Sequence, residues 1–289
     1  MNSSTIFLKL SKRYSDCLNY YDDLNFTRRN VLAKIHPTAI VDSKAELAEN
    51  VEIGPFSVIE NDVMIDDGTK IQSHSLIASG TRLGKNIFIG KGAVLGTQPQ
   101  DLKFKNEKTY LEVGDSTVIR EFATLNRGTS FSYKTVVGRN CFLMAYVHVA
   151  HDCIIGNNVI ISNGVNMGGH VIIEDNVSIG GLSAIHQFVK LGQHCFVGGG
   201  LKITKDIPPY ILAMGEPLQY GGTNYVGLSR RGFSEDVILE IKRAYKLIYK
   251  SEFTVSEAIK EIEEKLKPLP EIKIIVEFVK KSERGIVRG

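Results

Sequence analysis

Apolar residues recur at every sixth position from Ile35 to Ile203. The series runs through Ile35, Val41, Leu47 and Ile53 to Leu95 and lapses at Asp101 and Glu107. It resumes at Val113, Ile119, Leu125 and Phe131, then runs unbroken from Val137 to Ile203. Of the 29 positions on this lattice 27 are apolar, in a chain only 43% hydrophobic overall, so chance does not account for the pattern. The position after a lattice residue is often Gly or an acid (Gly54, Asp66, Gly84, Gly90, Gly138, Gly156). Two positions before it sits a small or β-branched residue (Ala39, Val51, Ser57, Thr69).

A helix would scatter a six-residue period around its circumference, and a plain strand alternates with period two. Six residues suit a short strand plus a corner, with the large side chain inside and the Gly or acid permitting the turn. Three such sides close a coil of eighteen residues. Each coil then lies one strand spacing, ~4.8 Å, above the last. Stacking supplies the core that no single coil can bury. The expected organisation is an extension over 1–34, a β-solenoid over 35–207 and a helical domain over 208–289.

Past Ile207-Pro208-Pro209-Tyr210 the period changes. Ser234 is placed to cap a helix with Val237, Ile238, Ile241, Tyr245 and Ile248 on one face. Thr254-Val255-Ser256-Glu257 reads as a capping box, and Pro270 opens a last helix. The first of these helices carries Lys242, Arg243, Lys246 and Lys250, a solvated face or a dock for an acidic partner. The extension fits no lattice. Its Asp16, Asp22 and Asp23 count against a targeting segment, and one short helix is expected around Tyr14–Leu24.

Composition removes several classes. A formal charge of +3 gives no case for nucleic acid, and no run approaches the ~18 apolar residues of a membrane span. Cys17, Cys141, Cys153 and Cys195 lack a C-x-x-C or zinc-knuckle spacing, and the last three, inside the solenoid, read as small packing residues in a reducing compartment, with the cytoplasm as the expected location.

The candidate chemistry is histidine. On an eighteen-residue coil His151 lies over Gly169 and Gly168 over His186, so His151, Gly169-His170 and His186-Gln187 occupy successive coils, with His148 nearby. Two chemistries use such a cluster. Three imidazoles can hold a zinc ion that activates water, as in β-helix carbonic anhydrases. Alternatively, one His acts as general base, a carboxylate fixes its tautomer and a backbone N–H receives the oxyanion. Asp152 and Gly169 fill the last two roles, so the metal-free reading accounts for more residues. A non-catalytic scaffold would give no reason for His151-Asp152 above Gly169.

Six short motifs carry a resemblance: Gln100-Asp101-Leu102-Lys103, His148-Val149-Ala150-His151-Asp152-Cys153, Gly168-Gly169-His170-Val171, Ala184-Ile185-His186-Gln187-Phe188, Asp206-Ile207-Pro208-Pro209-Tyr210 and Arg230-Arg231-Gly232-Phe233. In order and spacing the chain from about 35 to 289 resembles the UDP-N-acetylglucosamine 3-O-acyltransferases of lipid A synthesis. That resemblance implies a left-handed parallel β-helix, a homotrimer, a 3-hydroxyacyl-acyl carrier protein donor, a UDP-N-acetylglucosamine acceptor and no metal or cofactor. It implies His151 as base, Asp152 as its orienting partner and Gly169 as oxyanion donor. Asp101, Lys103, His148, His170 and Gln187 would surround the substrate, His186 would line the donor side, and Asn224 and Arg231 would reach the nucleotide from a neighbouring subunit. Gly199 would set acyl length, with Phe196 as a second limit. Two departures bear on the choice between a 3-hydroxy and a 3-amino sugar: Asn126 stands where the family often has His, and Val226 where it often has Glu. Asn can hydrogen-bond but cannot take up a proton as His does.

Overall fold

The computed structural model describes residues 33–289. The extension and its expected helix around Tyr14–Leu24 therefore lie outside the described residues, apart from the last two positions before Ile35. From Lys34 onward the chain winds as a three-sided parallel β-helix. Face one contains eleven strands, beginning with Lys34–Ile35; face two contains nine, beginning with Ile40–Val41; face three contains eight, beginning with Glu46–Leu47. Most strands are two residues long, and the others have three to five.

Register follows the lattice. Ile35 pairs with Ile53, Val41 with Ile59 and Leu47 with Ile65, each one coil of eighteen residues on. Two coils are longer. Leu95 pairs with Leu125, thirty residues on, and Leu125 with Val149, twenty-four on. The extra chain leaves as two excursions, between Thr97 and Tyr110 and between Asn126 and Lys134, both at the corner joining face two to face three. Because the additions are multiples of six, the lattice phase survives them.

The lattice side chains fill the interior. Ile59, Ile77, Ile89, Leu95, Leu125, Leu143, Ile161 and Val197 are all almost fully buried. Phe131 is an exception to the sequence expectation. It keeps the six-residue phase but sits on the second excursion, 73% exposed, because the excursion has left the wall. Ile35, on the first described coil, is also exposed.

The corners are built differently from the sequence reading. The left-handed backbone falls three residues after most lattice positions, for example at Asn50, Phe56, Asp62, His74, Asn86, Asp152, His170, Phe188 and His194, with φ between 50° and 64°. Glycines one after the lattice serve close approach instead. A Cβ on Gly138 would lie 2.4 Å from the Gly156 carbonyl oxygen in the next coil, and one on Gly54 would lie 2.8 Å from the Ser73 nitrogen.

Two positions before the lattice, hydroxyls bridge coils. Thr69 Oγ1 donates to Gly84 O at 2.8 Å and accepts from Ile87 N at 3.1 Å. Cys141, Cys153 and Cys195 occupy this same position, and Cys141 and Cys153 donate to Gly156 O and Gly168 O. All three are free and buried. Burial pushes the Cys141 thiol up to about 11 and the Cys153 thiol up to about 12. They are packing groups, as expected, and not nucleophiles.

The helix does not stop at Ile207. Ile211–Met214 stacks parallel on Phe196–Val197, then turns back antiparallel into Gln219–Thr223. Four helices follow: α1 (Tyr225–Arg230), α2 (Glu235–Lys250), α3 (Val255–Lys265) and α4 (Pro270–Lys280). Ser234 caps α2, the Thr254–Glu257 capping box opens α3 and Pro270 opens α4, all as the sequence indicates. The short α1, capped by Asn224, was not foreseen. Ile241, Tyr245, Ile262 and Ile275 join the solenoid interior in one apolar cluster. The C-terminus is tied back at Asp206, which accepts from Val287 N, Ser282 Oγ and Lys190 N.

Close stacking makes the wall sensitive to single methyl groups. Gly138→Ala is expected to lower the unfolding free energy by ~1–3 kcal/mol through overpacking. Gly198→Ala, at the same lattice offset, meets only the tip of Leu201 at 3.3 Å and is expected to cost less. Thermal denaturation of both proteins checks the difference.

Candidate active site

The corner between faces two and three changes character from coil to coil. The left-handed position is occupied in succession by Asp152, His170 and Phe188, and the position before it by His151, Gly169 and Gln187. Each is eighteen residues from the next, so the period alone brings them together.

His151 Nδ1 lies 2.7 Å from Asp152 Oδ2. The Asp152 side chain is fully buried. Its Oδ1 accepts from Thr129 N at 3.1 Å and Ser132 N at 3.2 Å, and also from Ser132 Oγ; Oδ2 accepts from Thr129 Oγ1 at 2.7 Å. Burial alone would raise this carboxyl, but the bonds from His151, Ser132 and Thr129 outweigh it and hold Asp152 well below the usual carboxylate range. An ionised Asp152 accepts the His151 Nδ1–H and leaves Nε2 with its lone pair, the tautomer a general base requires. Thr129 and Ser132 were not singled out in the sequence. They sit on the second excursion, whose extra length hides their closeness to Asp152 from simple eighteen-residue arithmetic.

Under His151 there is room only for glycine. A Cβ on residue 169 would fall 2.5 Å from the His151 ring. The Gly169 carbonyl accepts from Phe188 N, while His170 N donates to the His151 carbonyl. His170 is held by aromatic neighbours. It stacks on Phe188 at 4.4 Å and meets the edges of Phe131 at 4.5 Å and His151 at 5.1 Å. Burial lowers its pKa, opposed by the charges of Asp152 and Asp101. Its Nδ1 is buried without a hydrogen-bond partner, 4.0 Å from Asp152 Oδ2.

His148 projects from face two beside this corner, with Nδ1 2.8 Å from Thr124 Oγ1, and burial lowers its pKa. His186 and Gln187 are exposed one coil above Gly168-Gly169. Asp101 lies on the first excursion, close enough for its charge to act on His170, and accepts the Lys103 N–H at 2.9 Å. Asn126 anchors that excursion, donating to Thr97 Oγ1 and Gln98 O at 3.0 Å each. A groove on face two is lined by Gln100, Phe122, Thr124, Tyr146, His148 and Asn166, with an internal volume near 310 Å³.

Two groups of expected residues stand apart within the single chain. Gly199 lies across face two, at its corner with face one, three coils above His151, and Phe196 lies on face one just before that corner. A Cβ on Gly199 would meet Gly181 O at 3.0 Å. Asn224 and Arg231 lie at the third corner, around His194. Asn224 is buried, with Nδ2 donating to His194 O at 2.9 Å and Oδ1 capping α1. Arg231 is exposed and its charge acts on His194. Val226, at the second departure, is exposed on α1.

The repeat and the buried His–Asp pair at its corner define a hexapeptide-repeat transferase. The hexapeptide transferase repeat matches residues 134–169, a related succinyltransferase repeat 170–205, and the second domain of UDP-N-acetylglucosamine O-acyltransferase 206–287. An acyl-[acyl-carrier-protein]--UDP-N-acetylglucosamine O-acyltransferase of Sulfurihydrogenibium sp. is 50% identical over 256 residues, 88% of this chain and 94% of that protein. One of the same name from Thiobacillus denitrificans is 41% identical over 89% of this chain and all of its own. The crystal structure of a UDP-N-acetylglucosamine acyltransferase from Bacteroides fragilis superposes with a TM-score of 0.86 at 45% identity, covering 88% of this chain and 100% of that one. The chain belongs to the UDP-N-acetylglucosamine O-acyltransferase family, and its solenoid is the left-handed parallel β-helix.

The third corner generates a pH prediction. Burial, reinforced by Arg231, depresses His194 from the ordinary 6.5 to about 4. The unfolded chain takes up this proton near 6.5 and the folded chain does not until about 4, so stability falls as pH drops through that window. His194→Phe keeps the stack on Tyr210 and Phe233 and is expected to flatten this part of the curve. Melting temperatures of both proteins from pH 7.5 to 4.5 measure it.

Proposed function

We propose that this chain transfers a 3-hydroxyacyl group from acyl carrier protein to the 3-hydroxyl of UDP-N-acetylglucosamine, the opening step of lipid A synthesis. The observation that carries the reading is the His151–Asp152 pair over Gly169, in a chain whose relatives bear that acyltransferase name. His151 Nε2 takes the proton of the sugar hydroxyl as its oxygen attacks the thioester carbonyl. The tetrahedral oxyanion is received by the Gly169 N–H. Collapse breaks the carbon–sulfur bond, and the departing thiolate takes from His151 Nε2 the proton that came from the sugar hydroxyl. No step in this route requires a metal.

Asp101, Lys103, His148, His170 and Gln187 surround the sugar and phosphates, and His186 faces the acyl donor. Asn224 and Arg231 serve the nucleotide of a neighbouring subunit. Their position at a different corner from His151 supports a homotrimer with sites between subunits. The exposed apolar side chains Phe56, Phe122, Tyr146 and Leu182, which line the corner between faces one and two, supply surface for a partner to cover. Lys242, Arg243, Lys246 and Lys250 are exposed on α2 and offer a dock for an acidic carrier protein. Among the described residues no helix is long and apolar enough to cross a membrane. The reading assigns the enzyme to the cytoplasm, with no nucleic-acid partner.

The test is acyl transfer measured with UDP-N-acetylglucosamine, its 3-amino analogue and a series of carrier thioesters. Transfer to the 3-hydroxy sugar is expected, and His151→Ala should lower kcat by ~10²–10⁴-fold with the fold intact. Near-wild-type activity after this change would remove His151 as base.

The same panel tests chain length. Gly199 leaves its corner open, so a long 3-hydroxyacyl donor is expected to be preferred. Gly199→Met presses on Gly181 and should shift preference toward shorter donors by roughly 10- to 100-fold in kcat/KM, at ~1.4 kcal/mol per factor of ten. An unchanged profile would place the acyl stop elsewhere.

A further inference from the structure

We infer that His151, Asp152 and His170 form an inhibitory site for a divalent transition metal ion, zinc above all. One ligand atom from each lies within 4.8 Å of the other two. The donor set, two imidazoles and a carboxylate, is one that zinc takes when a fourth position stays open. The His170 Nδ1 is the second observation. It is buried, has no hydrogen-bond partner, and lies 4.0 Å from the carboxylate oxygen that also meets His151 Nδ1 at 2.7 Å. Tetrahedral zinc needs ligand atoms about 3.3 Å apart, given bond lengths near 2.0–2.1 Å. The two distances to the carboxylate oxygen bracket that value, and the imidazole nitrogens, within 4.8 Å of each other, must close on the ion from both sides.

The surroundings favour a bound ion. Asp152 Oδ1 already has three donors, and Oδ2 keeps the Thr129 hydroxyl, which holds the carboxylate in place as outer partners of metal ligands do. Phe131 and Phe188 fix the plane of His170 from two sides.

Inhibition follows from proton bookkeeping on one ring. In the resting pair His151 carries its proton on Nδ1 and its lone pair on Nε2. Coordination through Nδ1 puts the metal where that proton was and shifts the proton to Nε2, whose lone pair it takes up. The ring stays neutral and no proton is released, but Nε2 becomes a donor and cannot accept the proton of an attacking hydroxyl. The metal also occupies the carboxylate that oriented the base. Inhibition rests on His151 being the base; the binding itself does not.

The experiment separates the two. Equilibrium dialysis of the intact protein against zinc sulfate should give one ion per chain at micromolar concentration. Cobalt(II) in its place should give visible ligand-field bands of a four- or five-coordinate site. His170→Ala should weaken zinc at least ~100-fold, more than losing an outer-shell partner costs, and abolish the cobalt spectrum. His148→Ala lies outside the trio and should leave zinc affinity and the cobalt spectrum unchanged. Acyl transfer by the wild-type protein should fall in proportion to occupancy and return with EDTA. Absence of stoichiometric zinc, or a cobalt spectrum that survives His170→Ala in a folded protein, overturns the site. Full occupancy without inhibition would uphold the site, overturn its inhibitory role, and count against His151 as base.

Discussion

The solenoid depends throughout on the hydrogen bonding of one coil to the next. Most strands are two residues long and cannot persist alone; each is held by the neighbouring coils. The backbone groups are therefore satisfied along the axis, not within a local element, and the spacing of the stack is that of a β-sheet. Side chains eighteen residues apart become neighbours without any fold-back of the chain. A large apolar residue at nearly every sixth position completes the arrangement by filling the interior between the three faces.

The His151 corner uses that arithmetic for electrostatics. A carboxylate removed from water is costly unless donors replace the lost solvation. The second excursion supplies them, wrapping Thr129 and Ser132 around Asp152 while the coil itself supplies His151. The wall provides position and the excursion provides charge compensation. Neither suffices alone: without Thr129 and Ser132 the buried Asp152 would rise toward its neutral form and no longer hold the imidazole in one tautomer.

Much of this was legible beforehand, and the reasons are specific. Lattice residues and the eighteen-residue stacking of His151 on Gly169 depend only on period, which a sequence displays directly. Helix starts at Ser234, Thr254 and Pro270 depend on local capping chemistry, also visible in order. What escaped notice depends on contacts across an irregular segment. Thr129 and Ser132 reach Asp152 only because the coil between them is lengthened, and Phe131 keeps the apolar phase while lying outside the wall. The corner rule was misassigned for a different reason. Glycine suggested torsional freedom, whereas Gly138 and Gly54 answer to the nearness of the next coil, and the left-handed backbone is carried by residues such as Asp152 and His170 themselves. Asn224 and Arg231 gather around His194, at a corner that the eighteen-residue period does not link to His151.

The identical cross-section of successive coils has a metrical consequence. Two points on the wall, such as the corner at His151 and the corner at Gly199, are separated by a whole number of coils, and that separation changes only in steps of ~4.8 Å. A coil gained or lost between them would slide one point along the axis without rotating it, leaving both corners facing as before. Length in this molecule is thus graduated like a notched rod, whereas the chemistry at each notch is free to vary one residue at a time.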